Sequence, residues 1–192
     1  METSLSWLGR LTDKPTEGDW KKLLEEYGPL LRSWLTRAGV PFADHDDLSQ
    51  EVLIVLVRKV SGFERRGPGA FRAWLRTILH NRIRDYFRAR SNRATAVGGS
   101  DAWNRLDELA DPDSAMSKLW DREYDEHLAA RTLERVRVDF SQTTWEAFTR
   151  QVIEGRPALD VAKELGISRN AALVAKSRVL SRIRAELAGL VD

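Results

Sequence analysis

Residues 158–177 read ALDVAKELGISRNAALVAKS. The spacing predicts a short helix, a sharp turn and a second helix packed across the first. Close crossing needs a small residue on the first helix, which Ala162 supplies. The turn needs a residue that tolerates positive φ, and Gly166 stands where it is required. Val161, Leu165, Ile167, Ala172 and Ala175 would supply the shared core, and Ser168 is placed to N-cap the second helix. Arg169, Asn170, Leu173 and Ser177 would then face outward, the reading side of a helix-turn-helix toward a DNA major groove. Arg178, Arg182 and Arg184 continue that helix and suit phosphate contacts. The competing reading of the same residues is a plain helical hairpin with a solvated basic face.

Outward from this motif, charge is unevenly spread. The 192 residues sum to a net +2. Residues 1–60 hold eight Lys and Arg against ten acids, whereas 61–100 hold nine arginines against two acids, a local +7. Residues 101–140 then hold six against eleven, and 141–192 hold eight against six. A basic block, an acidic bridge and a mildly basic end suggest two modules with a polyanion as a partner. Charged residues at 31% and hydrophobic ones at 42% describe a soluble globular chain. No window approaches 18 apolar residues, so no membrane insertion is expected, and METSLSWLGR at the start has no secretory-signal pattern. Cysteine is absent, which removes disulfides, thiolate zinc sites and cysteine nucleophiles and fits a reducing cytoplasm. His45, His80 and His127 are well separated, so neither a histidine metal site nor a triad is expected. No glycine-rich phosphate loop precedes a helix, so no cofactor is expected either.

Helical spacing dominates the rest. Thr16 with a carboxylate at Asp19 reads as a helix start, and Trp20, Leu23, Leu24, Tyr27, Leu31, Trp34 and Leu35 fall on one face. Gly39-Val40-Pro41 ends that helix. Asp44 is expected to cap the next, with Leu48, Val52, Val55 and Leu56 inward. The three glycines and one proline of 61–69 predict a loop. A third helix over 71–90 would bury Phe71, Trp74, Leu75, Ile78 and Ile83, with Tyr86 or Phe87, and carry Arg72, Arg76, Arg84 and Arg88 on its other surfaces. Periodicity disappears over 91–113, where Gly98-Gly99-Ser100 and Asp111-Pro112-Asp113 break the chain and acids accumulate. It resumes at Met116, Leu119, Trp120, Leu128, Leu133 and Val136. A further helix is expected from a Thr143 to Glu146 capping box, with Trp145, Phe148 and Val152 on its face. The expectation is an all-α fold of two small domains, 16–90 and 114–192, joined by an acidic linker over 91–113 and preceded by an extension over 1–15.

Two stretches beyond the helix-turn-helix resemble a known family. Asp47-Leu48-Ser49-Gln50-Glu51-Val52 is similar to the D-x-x-Q-E core of region two in bacterial sigma factors. Residues 71–81, FRAWLRTILHN, resemble the F-x-x-W-L-x-x-I-x-x-N helix of the same region. The C-terminal motif resembles region four. Two helical modules with no middle domain between them resemble the extracytoplasmic-function (ECF) group of the sigma-70 family. The likeness covers about 16–90 and 114–188.

The resemblance implies a protein that binds core RNA polymerase, recognises two promoter elements and captures the non-template strand as the duplex opens. Asp44, Asp47, Gln50 and Glu51 would dock on the clamp helices of the largest polymerase subunit, and the C-terminal module on the beta flap. The loop with Phe63, Arg65 and Arg66 would take up a flipped base of the minus-ten element, and Asn81 would help to read it. Arg72, Arg76, Arg84 and Arg88 would follow the DNA backbone. For Trp74, core packing is the favoured alternative to base stacking. Ser168, Arg169, Asn170, Leu173, Ser177, Arg178 and Arg182 would meet the minus-thirty-five element. There the family often has a basic-Ser-Arg run where this chain has Leu173-Val174-Ala175, so apolar contact with thymine methyls would stand in for hydrogen bonds. The acids Asp101, Asp107, Glu108, Asp111 and Asp113 would be drawn into the basic active-site and RNA-exit channel of the polymerase, or would form an extended solvated spacer. Members of the group are often held by an anti-sigma factor.

Such a protein is not an enzyme. Three rivals differ in class: a stand-alone helix-turn-helix regulator of duplex DNA, a partner-binding module whose basic helix meets an acidic protein, and a hydrolase built on Asp44, His45 and Asp46.

Overall fold

The computed structural model describes residues 16–60, 62–64, 67, 69–91 and 106–187. Residues 1–15, Ser61, Arg65, Arg66, Pro68, 92–105 and 188–192 lie outside the described residues, and with them the loop arginines, the Gly98-Gly99-Ser100 breaker and Asp101 of the expected linker. Every regular element among the described residues is helical, as the periodicity predicts. The chain divides into two compact units, one ending at His127 and the other beginning at Leu128. That boundary falls later than the expected 114.

In the first unit, α1 (Glu17–Arg37) buries Leu23, Tyr27, Leu30, Leu31, Trp34 and Leu35 along one stripe, while Trp20 and Leu24 stay half-buried. A single 3-10 turn, Phe42–Asp44, leads into α2 (His45–Val60), which buries Leu48, Val52, Leu53, Leu56 and Val57. Val55 is only half-buried. Helix α3 (Ala70–Ser91) faces inward with Phe71, Leu75, Ile78, Leu79, Ile83 and Phe87. Phe87, not Tyr86, completes that stripe, because Phe87 lies four residues beyond Ile83 on the same face.

The acidic segment departs from expectation. Residues 106–110 are helical, with Leu106 and Leu109 buried. Ser114 starts α4 (Ala115–Arg137): its hydroxyl accepts from the Ser117 amide at 2.9 Å and donates to the Glu108 carbonyl. Trp120 is wholly buried, packs edge-on against Trp34 at 5.2 Å and donates from Nε1 to the Arg72 carbonyl at 3.2 Å. The reason for the departure is apolar: two leucines and a tryptophan gain more by burial than a charged spacer gains by solvation. Arg37 pairs with Glu123 at 2.5 Å, and the His127 Nε2–H donates to the Glu26 carbonyl at 2.6 Å. Residues 115–127, expected in the helix-turn-helix domain, therefore belong to the first unit.

The second unit comprises the rest of α4 with α5 (Gln142–Val152), α6 (Ala158–Leu165) and α7 (Arg169–Leu187). Helix α5 begins two residues earlier than the expected box, since Ser141 and not Thr143 is its cap. The Ser141 hydroxyl accepts from the Thr144 amide at 3.4 Å. Val136, Phe148 and Val179 form one core cluster, flanked by Leu133, Phe140, Trp145, Leu180 and Ile183. Ala147, Val161 and Ala175 form a second, flanked by Leu165 and Ile167. Val152, expected inward, is exposed.

Replacing a buried tryptophan with alanine removes packing that the surroundings refill only in part. Trp120→Ala should destabilise the first unit by about 3–5 kcal/mol, read by urea unfolding. A loss under about 1 kcal/mol would contradict the packing described for residues 106–127.

Candidate nucleic-acid and polymerase interface

The helix-turn-helix is built as its sequence predicts. Gly166 takes φ +65°, the Ile167 amide donates to the Ala162 carbonyl at 3.0 Å, and the chain leaves α6 through a left-handed C-terminal turn. Ala162 is buried at the crossing. The Ser168 hydroxyl accepts from the Ala171 amide at 3.1 Å and caps α7. Ala172, Ala175 and Val179 anchor the inner face of α7, which leaves Ser168, Arg169, Asn170, Leu173, Ser177 and Arg178 exposed together. Arg150 and Arg156 both pair with Glu164, bracing α5 and the preceding turn against α6, and the Arg156 hydrogen bond holds the Glu164 carboxyl below its ordinary range.

Two features of this unit were not legible. Gln151 is buried, and its amide nitrogen donates to the Ala147 carbonyl at 2.7 Å and the Ala172 carbonyl at 2.8 Å, tying α5 to α7. A glutamine beside an apolar stripe carries no sequence signal for such a role. Arg182, expected at a phosphate, is half-buried between Asp139 at 2.8 Å and Glu186 at 2.7 Å. These carboxylates push its guanidinium further up, the Glu186 hydrogen bond first among them. It pins α7 to the end of α4, because position 182 faces that end of the unit and not the exposed stripe.

In the first unit, Asp47, Gln50, Glu51 and Ile54 follow helical spacing and lie exposed along α2. Beside them runs an apolar groove of about 290 Å³ lined by Trp20, Leu24, Gln50, Leu53 and Ile54. The groove was not anticipated, although the half-buried Trp20 and Leu24 at the start of α1 are its source. Asp44 is held elsewhere. Its Oδ2 accepts from the Tyr86 hydroxyl at 2.5 Å and from Arg90 at 3.1 Å, so it clasps the turn before α2 to α3. Burial and then this carboxylate push the Tyr86 hydroxyl up. His45 is buried, its Nε2–H donating to the Val40 carbonyl at 2.9 Å, while Asp46 faces outward to Arg32 at 3.0 Å. Asp44, His45 and Asp46 thus point in three directions and form no joint hydrolytic site.

Helix α3 presents its expected contacts unevenly. Arg84 and Arg88 are exposed. Phe63 stacks on Trp74 at 4.9 Å, and both meet Phe71 edge-on, so the half-buried Trp74 closes an aromatic cluster under the loop. Arg76 was expected along a DNA backbone, yet it is only 8% exposed and lies 3.5 Å from Asp121. Arg72 is half-buried and pairs with Asp121 and Asp125. Both arginines turn toward α4 because residues 115–127 dock there, which local spacing does not reveal. Gly69 takes φ +77°, a conformation that favours glycine, and a Cβ on it would lie 2.9 Å from the Arg72 guanidinium and displace it. Asn81 is half-buried and hydrogen-bonds His80.

Residues 23–93 match the family model for sigma-70 region 2. Over 176 residues the chain is 28% identical to the RNA polymerase sigma factor CnrH of Cupriavidus metallidurans (strain ATCC 43123 / DSM 2839 / NBRC 102507 / CH34), an alignment that covers 89% of this chain and 85% of that protein.

Burial is the main reason the His80 imidazole lies below its ordinary 6.5; the Asn81 hydrogen bond opposes the shift, Arg84 adds to it and Asp107 opposes it. The unfolded chain therefore takes up this proton first, and stability present above the ordinary value is lost as pH falls below it. The thermal midpoint should drop between about pH 7 and about pH 5.5, and drop less in His80→Gln. Equal drops would mean that His80 is not the titrating group.

Proposed function

We infer what this chain does from what it is, a sigma factor of the sigma-70 family in its extracytoplasmic-function group: it binds core RNA polymerase and directs promoter recognition and transcription initiation. The observation that carries this reading is the pairing, in one chain, of a region 2 match with a geometrically complete helix-turn-helix. A stand-alone regulator of duplex DNA is not favoured, since such a protein has no use for the region 2 segment. The contribution of the chain is binding and not bond chemistry. It works where the polymerase works, in the cytoplasm. An anti-sigma factor is a further partner that its group implies.

Docking falls to the exposed stripe of α2. Asp47, Gln50 and Glu51 supply polar contacts to the clamp helices of the largest polymerase subunit, and the adjoining groove supplies apolar area. Asp44 supports that surface from behind through Tyr86 and Arg90. The second unit engages the beta flap and the minus-thirty-five element. There α7 enters the major groove, with Arg169, Asn170, Ser177 and Arg178 donating or accepting at base edges and phosphates. Leu173, 42% exposed, meets thymine methyls in place of a polar reader.

At the minus-ten element, unstacking a base costs about a few kcal/mol per step. The Phe63 loop with Arg65 and Arg66 offsets part of that by receiving the flipped base, and Asn81 helps to read it. Arg84 and Arg88 follow the phosphates of the non-template strand, adding affinity and salt dependence but no sequence choice.

Asp47, Gln50 and Glu51 are exposed, so replacing all three with alanine should leave the fold within about 0.5 kcal/mol per site. The same variant should fail to co-elute with core RNA polymerase in size exclusion, where the unaltered chain co-elutes. Co-elution of the variant would overturn the docking assignment. No association of the unaltered chain, with tight duplex binding by it alone, would instead support the regulator.

A further inference from the structure

Arg72 is a helix-borne guanidinium whose anion site is already filled from within the chain. Its Nη1 donates to both carboxylate oxygens of Asp125 at 2.7 Å, and its Nε lies 3.2 Å from Asp121. The N–H groups of a guanidinium that reach carboxylate oxygens can equally reach phosphate oxygens. Beneath this ionic edge lies the buried Trp120, which donates to the Arg72 carbonyl. The two layers differ in strength. The Asp125 side chain is 64% exposed and that of Asp121 38%, so water screens both pairs and each is worth little. A nucleic acid that brings several phosphates and releases its counterions can displace them while the apolar layer stays in place.

We propose that Asp125, with Asp121, is a built-in competitor for DNA phosphate at Arg72. In the protein by itself the carboxylates occupy the position that a backbone phosphate takes when α3 engages the non-template strand. Arg76 is a positioning residue in this arrangement, since it is buried and holds Asp121 in place. The device lowers the affinity of a basic helix for DNA in general, so that α3 binds strongly only when other contacts deliver the strand to it. This proposal rests on the reading of α3 as a DNA-facing helix.

The test is fluorescence anisotropy of the full chain, without polymerase, on a labelled random-sequence single-stranded DNA over a range of salt. Asp125→Asn should tighten binding by about two- to fivefold, the span expected for one exposed ion pair. It should also steepen the logarithmic salt dependence by about 0.7, one further phosphate engaged. Glu126→Gln is the control, because it removes one charge at the next residue from a side chain that pairs with Arg122 and not Arg72. It should give a smaller change. In an Arg72→Gln background, binding should be weaker and the advantage of Asp125→Asn over Glu126→Gln should vanish. The Trp120 hydrogen bond goes to the Arg72 backbone, so that variant keeps it. If Asp125→Asn gains no more than Glu126→Gln while Arg72→Gln still weakens binding, the competitor idea is wrong and the α3 reading stands. If Arg72→Gln leaves binding unchanged, Arg72 does not meet DNA and the competitor idea falls, while the α3 reading then rests on Arg84 and Arg88.

Discussion

Helix α3 cannot be satisfied by hydrocarbon packing alone. It must bury Phe71, Leu75, Ile78, Leu79, Ile83 and Phe87 on one stripe while carrying arginines on the flanks of that same stripe. Each guanidinium brought near a core needs an anion or water, because desolvating an unpaired charge costs more than a methylene gains. The first unit is organised around that requirement. Asp44 takes Arg90 and the Tyr86 hydroxyl, Asp85 takes Arg82, and Asp121 with Asp125 take Arg76 and Arg72. Arg84 and Arg88 lie exposed. The acidic stretch of the chain is thus in part a structural complement to the basic one. Among the described residues, folding pairs four of the basic block's arginines with carboxylates.

How much of this was legible depends on distance along the chain. The helix-turn-helix could be read almost completely, because Ala162, Gly166 and Ser168 act on neighbours within a few residues and leave a local signature. The stripes of α1, α2 and α3 were legible for the same reason, apart from choices such as Phe87 over Tyr86 that need the register of the packed partner. The docking of residues 106–127 was not legible. Its contacts join positions 34 and 120 or 72 and 125, and the Asp111-Pro112-Asp113 breaker disguised the short apolar pair Leu106 and Leu109 as linker. Asp44 also holds contacts that spacing does not reveal, since the Tyr86 hydroxyl and Arg90 reach it from 42 and 46 residues away.

The same contrast divides the candidate site. Asp47, Gln50 and Glu51 keep their solvent-facing positions, which is what a surface awaiting a partner requires. Asp44, Arg76 and Arg182 fit the same motifs by residue type, yet their partners lie within the fold. Residue type and spacing identify which helices carry these side chains. Burial and pairing decide which of them stay open to solvent in the folded chain.

The buried amide of Gln151 has a consequence for how this protein can diversify. By bonding the carbonyls of Ala147 and Ala172 together, it fixes the rotation of α7 about its own axis, since any roll would strand polar groups in the core. The outward residues of α7 can then be exchanged one at a time without re-aiming the others. A lineage carrying this lock can change what that exposed face recognises through surface substitutions alone, with the scaffold that presents them untouched.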